Sequence, residues 1–294
     1  MTGHHPVCLW AAGAELGEGP LWHAASRSVY FVDIRGRQVH RCLEDGSGRR
    51  SWDTPGQPGF IVPVKEGGFA CALGDGLYRF SPDTGAFTLL RAVEAELPGN
   101  RFNDGHVDAQ ACLWFGSMDN SEARPSGSLY RIDGAGKLTR ADSGYVITNG
   151  PAVSPDGNTL YHTDTLEKQV YAFDLLPDGA LARKRPFVTI AGASYPDGMA
   201  VDAAGNVWIA LFGGGRIERY SSTGELIGSV KFPCSNVTKL AFGGADLCTV
   251  YATTAWKGLD PAQREAEPLA GGLFMFRTDT PGLAQHDFSI RDFN

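Results

Sequence analysis

The chain contains no run of basic residues. Its 33 Asp and Glu outnumber 26 Lys and Arg across 294 residues, for a formal net charge of −7 and a pI near 5.5. That balance disfavours a nucleic-acid or anionic-membrane partner and leaves a small molecule as the expected one. No apolar run approaches the roughly 20 residues of a membrane span. The opening stretch MTGHHPVCLW has neither a basic nor an apolar leader region, so a cytoplasmic location is expected. The six cysteines, Cys8, Cys42, Cys71, Cys112, Cys234 and Cys248, include no CxxC pair, and no histidine stands at zinc-finger spacing. Reduced, mostly buried thiols are therefore expected. The absence of Gly-x-Ser-x-Gly argues against a serine hydrolase. No low-complexity linker divides the chain, so one domain over residues 1–294 is expected.

What the chain has in quantity is turn chemistry, with 38 Gly and 17 Pro. Asn149 to Thr165, NGPAVSPDGNTLYHTDT, reads as turn, strand, turn, strand. Similar second strands begin at Val29 (VYFVDI), Phe69 (FACALG), Leu113 (LWFGSM), Leu160 (LYHTDT), Val207 (VWIALF) and Val250 (VYATTA). Their starts are 40, 44, 47, 47 and 43 residues apart. Six copies at that period, each with about four short strands, predict an all-β, six-bladed β-propeller of four-stranded antiparallel blades.

The last blade shows only three strands of its own, so the strand-like Val7 to Ala12 is expected to complete it and close the ring. The C-terminal DFSIRDF is the competing candidate. Ala92 to Pro98 is expected to form a short helical turn, and the irregular loop 119–126 to hang over one mouth of the channel as a lid. Trp22, Trp114 and Trp208 recur beside or within strands, which favours packing between blades over sugar stacking. His23, His106 and His162 stand at unrelated points of the repeat and are expected in packing or surface roles. Gly213-Gly214-Gly215 joins two strands and reads as a tight turn.

Stepping back 10 or 11 residues from the second strands reaches Glu18, Asn103, Asn149 and Asp197. The equivalent points in the other two blades are Phe60 and Thr238-Lys239. Taken singly, each polar residue is ordinary turn chemistry. In a propeller, however, the innermost strands surround the axis, so residues that open them converge at one mouth. Crowded carboxylate and amide oxygens repel unless a cation sits among them, and a set free of thiol and imidazole suits one hard divalent cation. Calcium, zinc, manganese, magnesium and ferrous iron all remain open.

LGEGPLW at Leu16 to Trp22, NRFNDGHVD at Asn100 to Asp108, TNGPAVSPDGNTLYHTDT at Thr148 to Thr165, YPDGMAVDAAGNVWIA at Tyr195 to Ala210 and AGG at Ala270 to Gly272 resemble the senescence marker protein (regucalcin)/gluconolactonase family. The YHTDTLEKQVYAFD wording and the short lid are similar to bacterial aldonolactonases, including the xylonolactonase type. The resemblance implies a six-bladed propeller, a metal held by Glu18, Asn149 and Asp197, and a sugar contacted by Arg101 and Asn103. It carries no sugar preference over to lid residues such as Glu122.

The expected function is metal-dependent opening of sugar lactones to aldonic acids in a pentose or hexose oxidation pathway, with Asp197 also the expected proton acceptor. A non-catalytic metal-binding propeller, or a hydrolase of another lactone or ester, is the alternative. Charged outer strand faces make a monomer the expected state.

Overall fold

Short alternating segments bounded by Gly, Pro, Asn and Asp form strands joined by tight turns. In the computed structural model, which describes residues 5–291, these strands gather into six four-stranded antiparallel sheets. Blade 1 runs Gly17–His23, Ser28–Asp33, Gln38–Leu43 and Arg50–Asp53 from axis to rim. The inner strands of blades 2 to 5 are Phe60–Pro63, Asn100–Val107, Thr148–Val153 and Tyr195–Val201. Blade 6 orders Asn236–Gly243, Thr249–Ala255 and Leu273–Arg277 outward, and Val7–Trp10 adds its outermost strand. Val7 faces Met275 and Cys8 faces Phe274 across that pairing, so the N-terminal strand closes the ring as the sequence predicted.

The C-terminal segment does something else. Phe288 pairs in parallel with Val64 at the end of the blade 2 inner strand, while its ring fills the core between blades 2 and 3. Gly282 bridges to Asp202 at the end of the blade 5 inner strand. The tail thus crosses under the channel mouth to which the inner strands run. Residues 292 and 293 of the DFSIRDF stretch lie outside the described residues.

The apolar core is not one mass but a series of wedges between adjacent blades. One wedge joins Tyr30, Val39 and Trp52 of blade 1 to Phe69, Cys71 and Phe80 of blade 2. Others hold Trp114 with Leu160 between blades 3 and 4, and Trp208 with Phe242 between blades 5 and 6. Trp22 stacks on Tyr251 at 5.8 Å between blades 1 and 6. All three tryptophans therefore pack between blades, each fully buried large side chain contributing about 1.5–3 kcal/mol. The described cysteines are free.

One local expectation needs correction. Residues 92 to 98 form consecutive tight turns (Leu97 N to Glu94 O, Asn100 N to Leu97 O, both 2.8 Å) instead of a helical turn. Glu94 at φ +57° is left-handed, which breaks the helical path. A helix does form at Pro261–Ala266, where Asp260 and Gln263 make a reciprocal capping box.

Candidate active site

Glu18, Asn103, Asn149 and Asp197 lie inside the inner strands, not in turns ahead of them. The ladder register shifts between Glu18 and Leu21, Phe102 and Gly105, Asn149 and Ala152, and Pro196 and Met199. Each residue thus sits at or within a β-bulge, a device that bends a strand and re-aims its side chains. The turn-like glycines that follow serve the bulge. Gly150 takes φ +39°, and a Cβ on Gly198 would stand 2.6 Å from Cβ of Lys239. Blade 2 has no such irregularity and opens on the apolar Phe60.

The bulges bring Glu18, Arg101, Asn103, Asn149 and Asp197 to the wall of one cavity of about 250 Å³. Hydrogen bonds fix the amides. Asn149 Nδ2 donates to Thr165 Oγ1 at 2.9 Å, and Thr165 Oγ1 donates to Pro196 O at 3.0 Å. The other end of that amide, Asn149 Oδ1, accepts from Asn103 Nδ2 at 2.7 Å. Asn103 Nδ2 also donates to Thr148 O, and its Oδ1 accepts from Arg101 Nη1 at 2.5 Å. Arg101 is buried, and its Nε has no partner among the described residues.

The carboxylates are the least settled groups. Burial first, then the charge of Asp104, pushes Glu18 up to about 8, against the opposing pull of Lys239, the Gly19 N–H and Arg101. Asp197 is raised well above the usual carboxylate range by burial, then by Glu18 and Asp104. Two buried acids, both raised by burial and by Asp104, beside an amide oxygen of fixed orientation, form an oxygen-only donor set that a hard divalent cation fits. Among the described residues no three His, Cys, Asp or Glu side chains cluster as a metal site. The third oxygen donor here is the Asn149 amide.

Thr238-Lys239 is the equivalent point of blade 6, and nothing in the repeat gives Lys239 a role. Its ammonium crosses the channel to the buried Asp104, on the blade directly opposite. The other Asp104 oxygen accepts from Gly150 N at 2.8 Å. This ion pair lies beneath the cavity next to its acids, Glu18 and Asp197, although neither partner lines it. Lys239 and His106 line a second space of about 80 Å³ below it, which tail residues Leu283 to Gln285 border.

Burial holds His106 and His162 down near 3, which leaves both poor bases. His162 sits edge-on to Tyr145 at 4.9 Å.

The loop 119–126 reaches over the cavity. Asp119 Oδ2 accepts from Ser121 Oγ (2.5 Å), Ala123 N (3.1 Å) and Arg124 N (3.0 Å), tying the loop at its root. Glu122, which lines the cavity, pairs with Lys257 of blade 6 and lies 3.9 Å from Arg35 of blade 1. Sequence reasoning missed Lys257 altogether.

Fold and cavity together define the class: a six-bladed propeller with a polar, acid-bearing cavity at one mouth of its channel. The chain belongs to the family described as the SMP-30/Gluconolactonase/LRE-like region, which matches residues 16–256. It is 31% identical over 284 residues to the 6-deoxy-6-sulfogluconolactonase of Pseudomonas putida, covering 96% of this chain and 98% of that protein. It is 34% identical over 279 residues to the L-arabinolactonase of Azospirillum brasilense, covering 93% and 92%. A calcium-binding protein, regucalcin, from Agrobacterium tumefaciens superposes with a TM-score of 0.91 at 29% identity, over 98% of this chain and 97% of that one.

Proposed function

We propose that the chain is a divalent-metal-dependent hydrolase that opens sugar lactones to aldonic acids. The observation that carries this is the meeting of Glu18, Asn149 and Asp197 with Arg101 and Asn103 at one cavity, although they come from four different blades. The sugar-lactonase relatives support it at the level of the family.

Glu18, Asn149 and Asp197 would hold the cation, and the Thr165 relay keeps the Asn149 oxygen turned toward it. A divalent cation supplies Lewis-acid polarisation of a carbonyl oxygen and stabilises developing oxyanion charge. Arg101 presents fixed paired donors that, with Asn103, orient the ring through its hydroxyl groups. Asp197, on the wall of the same cavity, would accept the proton of the attacking water. Oxygen donors admit calcium, zinc, manganese, magnesium or ferrous iron. We read the protein as a monomer, a single domain over residues 1–294, acting in the cytoplasm.

The test is acid release from a panel of pentono- and hexonolactones by metal-stripped protein, with one divalent ion restored at a time. Activity that vanishes on stripping and returns with a particular ion is the expected result. If no lactone opens faster than in buffer with any ion, the proposal fails and the cavity is a binding site or serves another ester.

A further inference from the structure

The charges around the cavity imply something about the substrate beyond its ring. Three acids, Glu18, Glu122 and Asp197, and two bases, Arg101 and Lys257, line the cavity, and Arg35 stands 3.9 Å from Glu122 outside that lining. Below them Asp104 and Lys239 cancel one another. The lining alone therefore carries one formal negative charge in excess, and a bound divalent cation would turn that into one positive charge in excess. Uncompensated charge in a space walled by Met118, Ile147 and Phe212 is costly. A neutral lactone does not relieve that cost, whereas an anionic one does.

The bases are placed to accept such a group. Arg101 is a buried guanidinium with no carboxylate within ion-pair distance among the described residues, and its Nε is unpartnered. Lys257 lines the lid end of the cavity, where its only ion-pair partner among the described residues is Glu122. Glu122 has a second base in Arg35, 3.9 Å away. When Lys257 turns to a ligand anion, Glu122 stays paired with Arg35 and the lid stays tied.

We propose that the preferred substrate is a sugar lactone carrying an anionic oxyacid group on the carbon farthest from the ring carbonyl, and that Lys257 is the residue that selects it. This rests on the lactone-hydrolase proposal above.

The test compares kcat/KM for D-glucono-1,4-lactone with its counterparts bearing a terminal carboxylate or a terminal phosphate, using metal-loaded protein at low salt. A preference of about tenfold or more for at least one anionic lactone is expected, shrinking as salt rises. Lys257→Met collapses that preference, and Lys257→Arg keeps it. A wild-type preference for the neutral lactone, or the same preference in Lys257→Met, overturns the proposal.

A second readout needs no turnover. The ring-opened diacid glucarate raises the Tm of the metal-loaded protein more than gluconate does, and Lys257→Met erases the difference. Equal shifts in the wild type also overturn it. If no lactone is opened at all, the hydrolase proposal has failed and this one falls with it, whereas lactone opening without an anionic preference overturns this one alone.

Discussion

Asp197 and Asp202 stand at the two ends of one inner strand, and their surroundings are opposite. Asp202 Oδ1 accepts from Ala204 N and Asn206 N at 3.0 and 2.9 Å, while Oδ2 accepts from Trp208 Nε1 at 3.0 Å and pairs with Arg219 at 2.6 Å. Burial works against its ionisation, but those bonds outweigh it and hold Asp202 below the ordinary range. Asp197 has no such set of donors, and burial first, then the charges of Glu18 and Asp104, raise it. Blade 3 repeats the contrast. Asp108 accepts from Gln110 N, Cys112 N and Trp114 Nε1 at 2.8–2.9 Å, while Asn103 and Asp104 occupy the bulge above. One end of the inner strands is saturated with donors and fixes the fold. The other gathers charges that need something more, as binding sites do.

The widest gap between these ends is in turnover. Asp197→Ala is expected to lower kcat/KM for the best lactone by roughly a thousandfold while leaving the metal-free protein folded by circular dichroism. Normal activity in that variant would refute the site.

Lys239→Met tests the boundary between the two ends. It leaves Asp104 buried without its partner and costs about 3–5 kcal/mol, read as a lower urea midpoint. Adding Asp104→Asn recovers much of the loss. No recovery would mean that the ion pair is not what holds the floor.

Asp202→Asn is expected to cost about 2 kcal/mol in stability, with kcat/KM per folded molecule unchanged. A loss of turnover at unchanged stability would erase the distinction drawn here.

The smallest effect is on pH dependence. Glu18 and Asp197 bind protons more tightly folded than unfolded, so their ionisation works against the metal-free fold. Its Tm should be highest near the ordinary carboxylate value of 4.5 and fall by a few degrees as pH rises toward 8. Asp202 acts in the opposite sense, and its contribution disappears only as pH falls below the carboxylate range. A saturating divalent ion should flatten the decline. A metal-free Tm that is level or rises between 4.5 and 8 would contradict the placement of these acids.

Blade number and strand order were legible because each repeat carries its own turn chemistry, as in Pro155-Asp156-Gly157-Asn158, and its own alternating strand. Glu18, Asn149 and Asp197 were legible because a closed ring turns a position in the repeat into a position in space. The bulges were not, since Glu-Gly, Asn-Gly and Asp-Gly read equally well as turns. Lys239–Asp104 and Lys257–Glu122 were out of reach for another reason. Each pair joins opposite blades across 135 residues, and no local pattern couples such positions. Asp108 and Asp202 had a visible signal, a Val-Asp pair six residues before a Trp in both blades 3 and 5, whose meaning appears only once the indole is seen donating to the carboxylate.

The pairing of Val7–Trp10 with Leu273–Arg277 also constrains how the protein is made. Val7–Trp10 is made before all six inner strands and waits for blade 6 before it finds its place, so both raw edges of the growing stack stay open until that blade is made. Such a long-range final contact slows folding. It also acts as proofreading: a nascent chain stopped before blade 6 lacks the partner that turns its curved stack into a ring. The circle is complete only when blade 6 has been made.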